Sequence, residues 1–111
     1  MNSQYTIKKN SDFRRTYSKG KNSVNSFLVV YCRRNREEHN RVGFTVSAKL
    51  GHAVVRNRIR RRLREIYRLN SSALKQGWDI IVVARSRCVD ASYQDMEEAF
   101  LKACQDNGIM L

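Results

Sequence analysis

The sequence has no proline, only five glycines, and few acids for its bases: 10 Asp and Glu against 22 Lys and Arg, a net charge of +12. No apolar run approaches the ~18 residues of a membrane span, and the opening MNSQYTIKKN lacks the apolar stretch of a signal peptide. The expectation is a soluble, cytoplasmic protein with no membrane partner. The three cysteines, Cys32, Cys88 and Cys104, are odd in number and far apart, with no Cys-x-x-Cys or Cys/His ligand spacing. That argues against zinc and predicts free thiols in a reducing compartment. There are only two histidines, His39 in a polar stretch and His52 before a basic one. Nothing in the sequence brings them together as an acid/base pair, and His52 reads as structural. VGFTVS has too few glycines for a phosphate loop. The acids Asp95, Glu97 and Glu98 lack metal-ligand spacing. Neither a catalytic residue nor a protein-bound metal is expected.

What is present is a single-domain length of 111 residues, 41% hydrophobic and 29% charged. A chain of that size buries a core without disulfides. A sequence this basic attracts polyanions. The charge is also segregated: residues 90–111 carry −4, whereas Lys49–Arg68, KLGHAVVRNRIRRRLREIYR, carries +7. Within that basic stretch Val55, Ile59, Leu63 and Ile66 recur at helical spacing. Asn57, Arg60, Arg61, Arg64 and Arg68 fall on the opposite side of the wheel. The pattern predicts a helix over about 52–69 with one buried face and one covered in guanidinium groups. Arginine rather than lysine favours phosphate, because the planar fork can engage two oxygens at once. Like-charge pairs such as Arg56/Arg60 and Arg60/Arg64 cost helix stability unless an anion meets them, which weighs against a merely solvated face. The apolar stripe is narrow and β-branched, suited to a sheet rather than to lipid. Arg62 sits about 20° from Val55 on the wheel, inside the apolar arc. Either it snorkels or the helix is rotated from this estimate.

Along the chain, residues 1–9 read as an extended arm. Asn10 or Ser11 can cap a short helix carrying Phe13 and Tyr17 at i and i+4, with Gly20 as its stop. Lys21–Ser26 reads as a polar connector. FLVVYC at 27–32 is a strand, and 33–40 a polar loop. RVGFTVS at 41–47 alternates as a strand, placing Val42, Phe44 and Val46 on one face; the two strands are expected to form an antiparallel hairpin. WDIIVVAR at 78–85 is apolar throughout, as a strand buried on both faces should be. Ser92 is a good cap for a last helix bearing Tyr93, Met96, Phe100 and Ala103 or Cys104. The order is α-β-β-α-β-α, with no internal repeat or low-complexity tract. The fold class expected is a small α+β sandwich with a mixed sheet, the basic helix crossing between parallel strands as a βαβ unit. Phe13, Tyr17 and Tyr31 admit two readings. They pack as core, or they form a stacking platform for unpaired bases, with Arg14, Arg15, Lys19 and Lys21 beside it.

At RVGFTVSAKLGHAVVRNRIRRRLRE the chain resembles the protein subunit of bacterial ribonuclease P. The strand, the Lys-x-Gly turn and the Arg-Asn-Arg helix opening agree in order and spacing. KNSDF, the Phe/Tyr pair four apart, WDIIVVAR and a final amphipathic helix extend the resemblance across the chain. Ala48 departs from it, standing where many relatives carry a second base. The resemblance implies a ribosomal-protein-like fold with a left-handed βαβ crossover, against the general right-handed rule. It places the family's RNA-subunit-binding motif on Lys49, Arg56, Asn57, Arg58, Arg60, Arg61 and Arg64, to which the helix face adds Arg68. It places the cleft for the single-stranded 5′ leader of precursor tRNA on Phe13, Tyr17, Val29 and Tyr31. The implied activity is 5′ processing of precursor tRNA by a ribonucleoprotein, with catalysis and Mg²⁺ residing mainly in the RNA. The partners expected are that catalytic RNA and the leader, not DNA, since no dimer or half-site signal is present. The chief alternative is a non-enzymatic, ribosome-associated RNA-binding protein of similar fold. A protein-only nuclease using His39 or His52 is a further rival.

Overall fold

The computed structural model describes residues 6–111. Its elements run α1 (Asn10–Lys19), β1 (Lys21–Val24), β2 (Leu28–Arg34), β3 (Arg41–Thr45), α2 (Ala53–Asn70), β4 (Trp78–Ala84) and α3 (Tyr93–Asp106). Short 3-10 turns precede and follow α2 and lie between β4 and α3. The strands form one mixed sheet ordered β1-β2-β4-β3.

β4 takes an interior slot because its apolar run needs cover on both faces and neighbours on both edges; Ile80, Ile81 and Val82 are fully buried. It pairs antiparallel with β2, Val30 opposite Val82, and parallel with β3, Phe44 opposite Val82. The expected hairpin between the second and third strands therefore does not form. β4 inserts between them, and 33–40 is a crossing loop stitched to its start. The Asn35 amide N–H donates to Gly77 O at 2.9 Å, and Trp78 N–H donates to Asn40 Oδ1 at 2.8 Å. β3, α2 and β4 do form the expected βαβ unit between parallel neighbours.

The expected connector at 21–26 is corrected as well. Lys21–Val24 is a strand paired antiparallel with β2, Lys21 opposite Cys32 and Val24 opposite Val29. It is polar because it is an outer strand exposed along most of its length, where charge blunts edge-to-edge association. At α1 the cap is Lys9, with no side-chain bond, rather than Asn10 or Ser11. Ser92 does cap α3, accepting from Asp95 N–H at 3.0 Å.

Two sheet faces follow from the pleat. Leu28, Val30, Cys32, Val42, Val46, Ile80, Val82 and Ala84 belong to the core, with Ile59, Leu63, Ile66 and Tyr67 of α2 and Met96, Phe100, Ala103 and Cys104 of α3. The other face carries Val29, Tyr31, Arg33, Gly43, Thr45, Asp79, Ile81 and Val83, and α1 crosses it. Little of α1 is apolar cover: Thr16 is its one buried residue. A polar clamp holds it instead. The Asp79 carboxylate is fully buried and receives both Arg41 Nε and Nη2, at 2.8 and 2.7 Å, and Asn35 Nδ2 at 3.0 Å. Arg41 Nη1 reaches on to Asp12 of α1 at 3.3 Å. The bond to Asp79 holds the guanidinium above its ordinary pKa.

Removing one member of a buried pair strands the other's charge. Arg41→Met should cost about 3 kcal/mol in urea unfolding, with Arg41→Lys intermediate. A loss under about 1 kcal/mol, as for an exposed pair, would refute the clamp.

Burial also pushes Tyr67 and Cys104 up to about 12 and Cys32 up to about 11. Below the ordinary thiol value of 9.0 these groups are protonated in both states, and their contribution is intact. Above it the unfolded chain releases protons that the folded chain retains, so stability falls with rising pH. The denaturation midpoint should drop steadily between about pH 9 and 12, in step with alkylation of the thiols. A flat midpoint across that window would contradict their burial.

Candidate nucleic-acid interface

α2 begins after a turn that fixes its direction. Ser47 Oγ accepts from Lys49 N–H at 3.2 Å, and Gly51 has φ +144°, a conformation L side chains rarely adopt. A side chain at 51 would also press on Val55, with Cβ to Cβ at 3.2 Å. The Lys-x-Gly spacing is thus the geometry of the helix entry. From there Ile59, Leu63, Ile66 and Tyr67 enter the core, with Val55 half-buried against it.

The arginines of α2 divide into three groups. Arg58 and Arg62, one turn apart, donate to Val89 O at 3.3 Å and Ala91 O at 3.2 Å. They tie α2 to the turn before α3, which settles Arg62: its stem lies along the packed side and its head finds a carbonyl. Arg68 forms a two-pronged pair with Glu65, whose carboxyl it holds below the usual range. Its charge is therefore already matched within the chain. The remaining bases face outward. Arg60 is steered by Asn57 Oδ1 at 3.2 Å and Val46 O at 3.4 Å, and Arg56 Nε donates to Gly51 O at 3.2 Å. Among the described residues, the side chains of Lys49, Arg61 and Arg64 make no hydrogen bond or ion pair. Asn57 thus acts as an orienting residue for Arg60.

The aromatic residues named from sequence come together on the face crossed by α1. Tyr17 and Tyr31 meet edge to face, centroids 4.8 Å apart, and Phe13 lies 6.3 Å from Tyr17. The Tyr17 hydroxyl shares a 2.9 Å hydrogen bond with Thr45 Oγ1. Since Tyr31 is on β2 and Thr45 on β3, the Tyr17 side chain spans the intervening β4. It remains 37% exposed, so it both packs and presents surface. Val29 shares this face, two residues from Tyr31, and both are half-buried. Phe13 lies against Gly43, where a β-carbon would stand 2.7 Å from its ring; glycine is what lets α1 approach β3 so closely.

The two surfaces touch. A depression of about 500 Å³ is lined by Thr6, Ile7, Phe13, Gly43, Arg60 and Arg64. The aromatic face and the basic helix are contiguous across β3. The two histidines flank β3: His39 lies in the loop before it and His52 after it, at the entry to α2. Among the described residues no group of three His, Cys, Asp or Glu side chains is placed to hold a metal ion. No helix there is long and apolar enough to cross a membrane.

Sequence reasoning missed one cluster. Lys19, Lys21, Arg33, Arg34 and Arg36 surround Trp78 at a depression of about 700 Å³. The pairing of β1 with β2 brings Lys21 to Arg34, and without that strand the two looked unrelated. The runs at 19–21 and 33–36 were the available signal.

Comparison with known proteins shows the family and the fold. The family model described as Ribonuclease P matches residues 1–107. The ribonuclease P protein component of Alkaliphilus oremlandii is 53% identical over 95 residues, covering 86% of this chain and 83% of that one. The RNase P protein of Staphylococcus aureus superposes with a TM-score of 0.89 at 37% identity, over 96% of this chain and 98% of that one. That of Thermotoga maritima superposes at 0.81 with 30% identity, over 87% and 92%. The chain belongs to the ribonuclease P protein family.

Proposed function

We propose that this chain is the protein subunit of the ribonucleoprotein that removes the 5′ leader of precursor tRNA, holding the catalytic RNA on α2 and the leader in the aromatic cleft. The reaction is hydrolysis of one phosphodiester, leaving a 5′-phosphate on the mature tRNA. In this reading the RNA, with its bound Mg²⁺, performs the chemistry, and the chain contributes binding and placement. The observation that carries it is the division of labour on α2. Arg58, Arg62 and Arg68 each have a partner within the protein, whereas Lys49, Arg61 and Arg64 are unpaired among the described residues and Arg60 is oriented by Asn57. Unpaired like charges on one helix face are a phosphate-binding surface in waiting. The adjoining cleft offers what a single strand needs: ring edges and faces that any base can stack on. The family assignment favours this reading over a ribosome-associated one.

Each surface has its own test. Replacing Arg60, Arg61 and Arg64 together by Ala should weaken binding of the RNA subunit and flatten the log–log salt dependence by roughly two to three. Unchanged holoenzyme assembly would remove the role assigned to that face. Tyr17→Ala should cost about 1–3 kcal/mol of affinity for precursor tRNA, the worth of one stacked base, and leave leaderless tRNA untouched. An equal loss for both substrates would make Tyr17 a packing residue only.

A further inference from the structure

We propose that Glu65 and Tyr93 form a relay that releases Arg68 to the RNA subunit: as a phosphate takes the guanidinium, the Glu65 carboxylate turns to the buried Tyr93 hydroxyl. This rests on the reading of α2 as the surface that meets that RNA. Arg61, Arg64 and Arg68 stand at i, i+3 and i+7, an exposed row along the outer side of α2. The first two have no partner among the described residues, whereas Arg68 is held by both carboxylate oxygens of Glu65. Glu65 is the one acid on the helix. It lies four residues after Arg61 and three before Arg68, and its bonds go to Arg68. The Arg68 and Glu65 side chains are 53% and 44% exposed. An ion pair in that setting is weakly held, and a phosphate can compete for the guanidinium.

A receiver for Glu65 is already in place. The Tyr93 hydroxyl is buried and has no hydrogen-bond partner among the described residues. A buried hydroxyl left unpaired costs stability, so its presence calls for a reason. Tyr93 opens α3 on the flank of α2 that carries Glu65. Arg62, one turn before Glu65, donates to Ala91 O at 3.2 Å, two residues before Tyr93. Burial, then the carboxylates of Glu97 and Glu65, hold the phenol above its ordinary pKa, with Arg68 acting in the opposite direction. At neutral pH it is therefore a donor. Of the two carboxylates, Glu97 is engaged: it accepts from Asn70 Nδ2 at 2.9 Å, and that amide is fixed by a second bond to Ile66 O at 2.8 Å. Glu65 is the one whose partner an RNA can take.

The exchange leaves no charge stranded. One charge-assisted pair, Glu65 with Arg68, is replaced by two: Arg68 with a phosphate, and Glu65 with the phenol. The freed guanidinium extends the row of Arg61 and Arg64 by about 6 Å, four residues along the helix. In the free chain the same pair keeps a third like charge out of that row. The rival is a Glu65 that only stabilises the helix end, since Arg68 lies in the last turn, where its charge suits the helix dipole. That rival accounts for the pair and leaves the Tyr93 hydroxyl unexplained.

The test measures the affinity of the full chain for its RNA subunit across a salt series, with the thermal midpoint of each free variant. Arg68→Ala should weaken binding about fivefold and flatten the log–log salt dependence by about one. Tyr93→Phe should weaken binding about threefold, within the net worth of one hydrogen bond. It should leave the midpoint of the free chain unchanged or higher, because it removes only an unpaired hydroxyl. In the Arg68→Ala or Glu65→Ala background, Tyr93→Phe should have no further effect on binding. A midpoint lowered by Tyr93→Phe would show the hydroxyl already bonded in the free chain. A loss that persists in the Arg68→Ala background would uncouple Tyr93 from Arg68. Either outcome overturns the relay. If replacing Arg60, Arg61 and Arg64 by Ala weakens binding while Arg68→Ala and Tyr93→Phe do not, the relay fails and the reading of α2 stands. If none of these replacements affects binding, the reading of α2 fails first and the relay with it.

Discussion

The Arg41 guanidinium decides how open the cleft can be. It satisfies the fully buried carboxylate of Asp79 on β4 with two nitrogens and Asp12 on α1 with the third. One side chain on β3 thereby joins three elements. The consequence lies in what α1 does not do. A helix fixed to a sheet by apolar packing would bury a full stripe and close the groove. α1 buries only Thr16 and leaves Phe13 and Tyr17 partly open. With Asp12 of α1 held by Arg41, the adjacent Phe13 and, one turn on, Tyr17 need not be buried to fix the helix and remain part of the surface. Such a buried pair is weak evidence for net stability; its effect here is on register and distance.

The sheet separates two jobs by the alternation of its side chains. One face, with α2 and α3, holds nearly all the core. The other is covered sparingly. α2 takes part in both, because its apolar stripe anchors it and its remaining arc points away. Seven arginines on one helix are tolerable partly because not all behave as free charges. Arg58 and Arg62 spend their hydrogen bonds on carbonyls of the 89–91 turn, and Arg68 on Glu65. The cations of this helix region with no partner in the described chain are Lys49, Arg61 and Arg64, and Arg60 is oriented by Asn57.

Strong local patterns were legible in the sequence. The four-residue recurrence from Val55 to Ile66 fixed α2 to within a residue at each end. The unbroken WDIIVVA run identified the interior strand, and Ser92 marked the start of α3. Pairing was not legible in the same way. FLVVYC and RVGFTVS are both good strands, and adjacency in sequence made a hairpin the natural expectation. The competing fact, that β4 has more apolar surface to cover than either, concerns the whole sheet. β1 was invisible for the opposite reason: KNSV has no buried face to impose a period. Of the site, the aromatic set was recognised as a group, but Arg58, Arg62 and Arg68 could not be told from Arg61 and Arg64 without the carbonyls and carboxylate that engage them. Trp78 looked like the first residue of a buried strand, and its cations became neighbours only once β1 was in place.

The contiguity of the two surfaces constrains how they can work together. Arg60 and Arg64 border the same depression as Phe13, and β3 is the outer strand of the sheet there. An RNA seated on α2 therefore brings its phosphates to the margin of the cleft. Two polyanions meeting at that margin repel unless cations stand between them, and the two arginines occupy that position. In the proposed holoenzyme they would lower the cost of bringing catalyst and leader together, at a distance set by β3 and not by either RNA. Removing them should then cost more for the two RNAs bound jointly than for each bound alone, which a merely additive phosphate contact would not do.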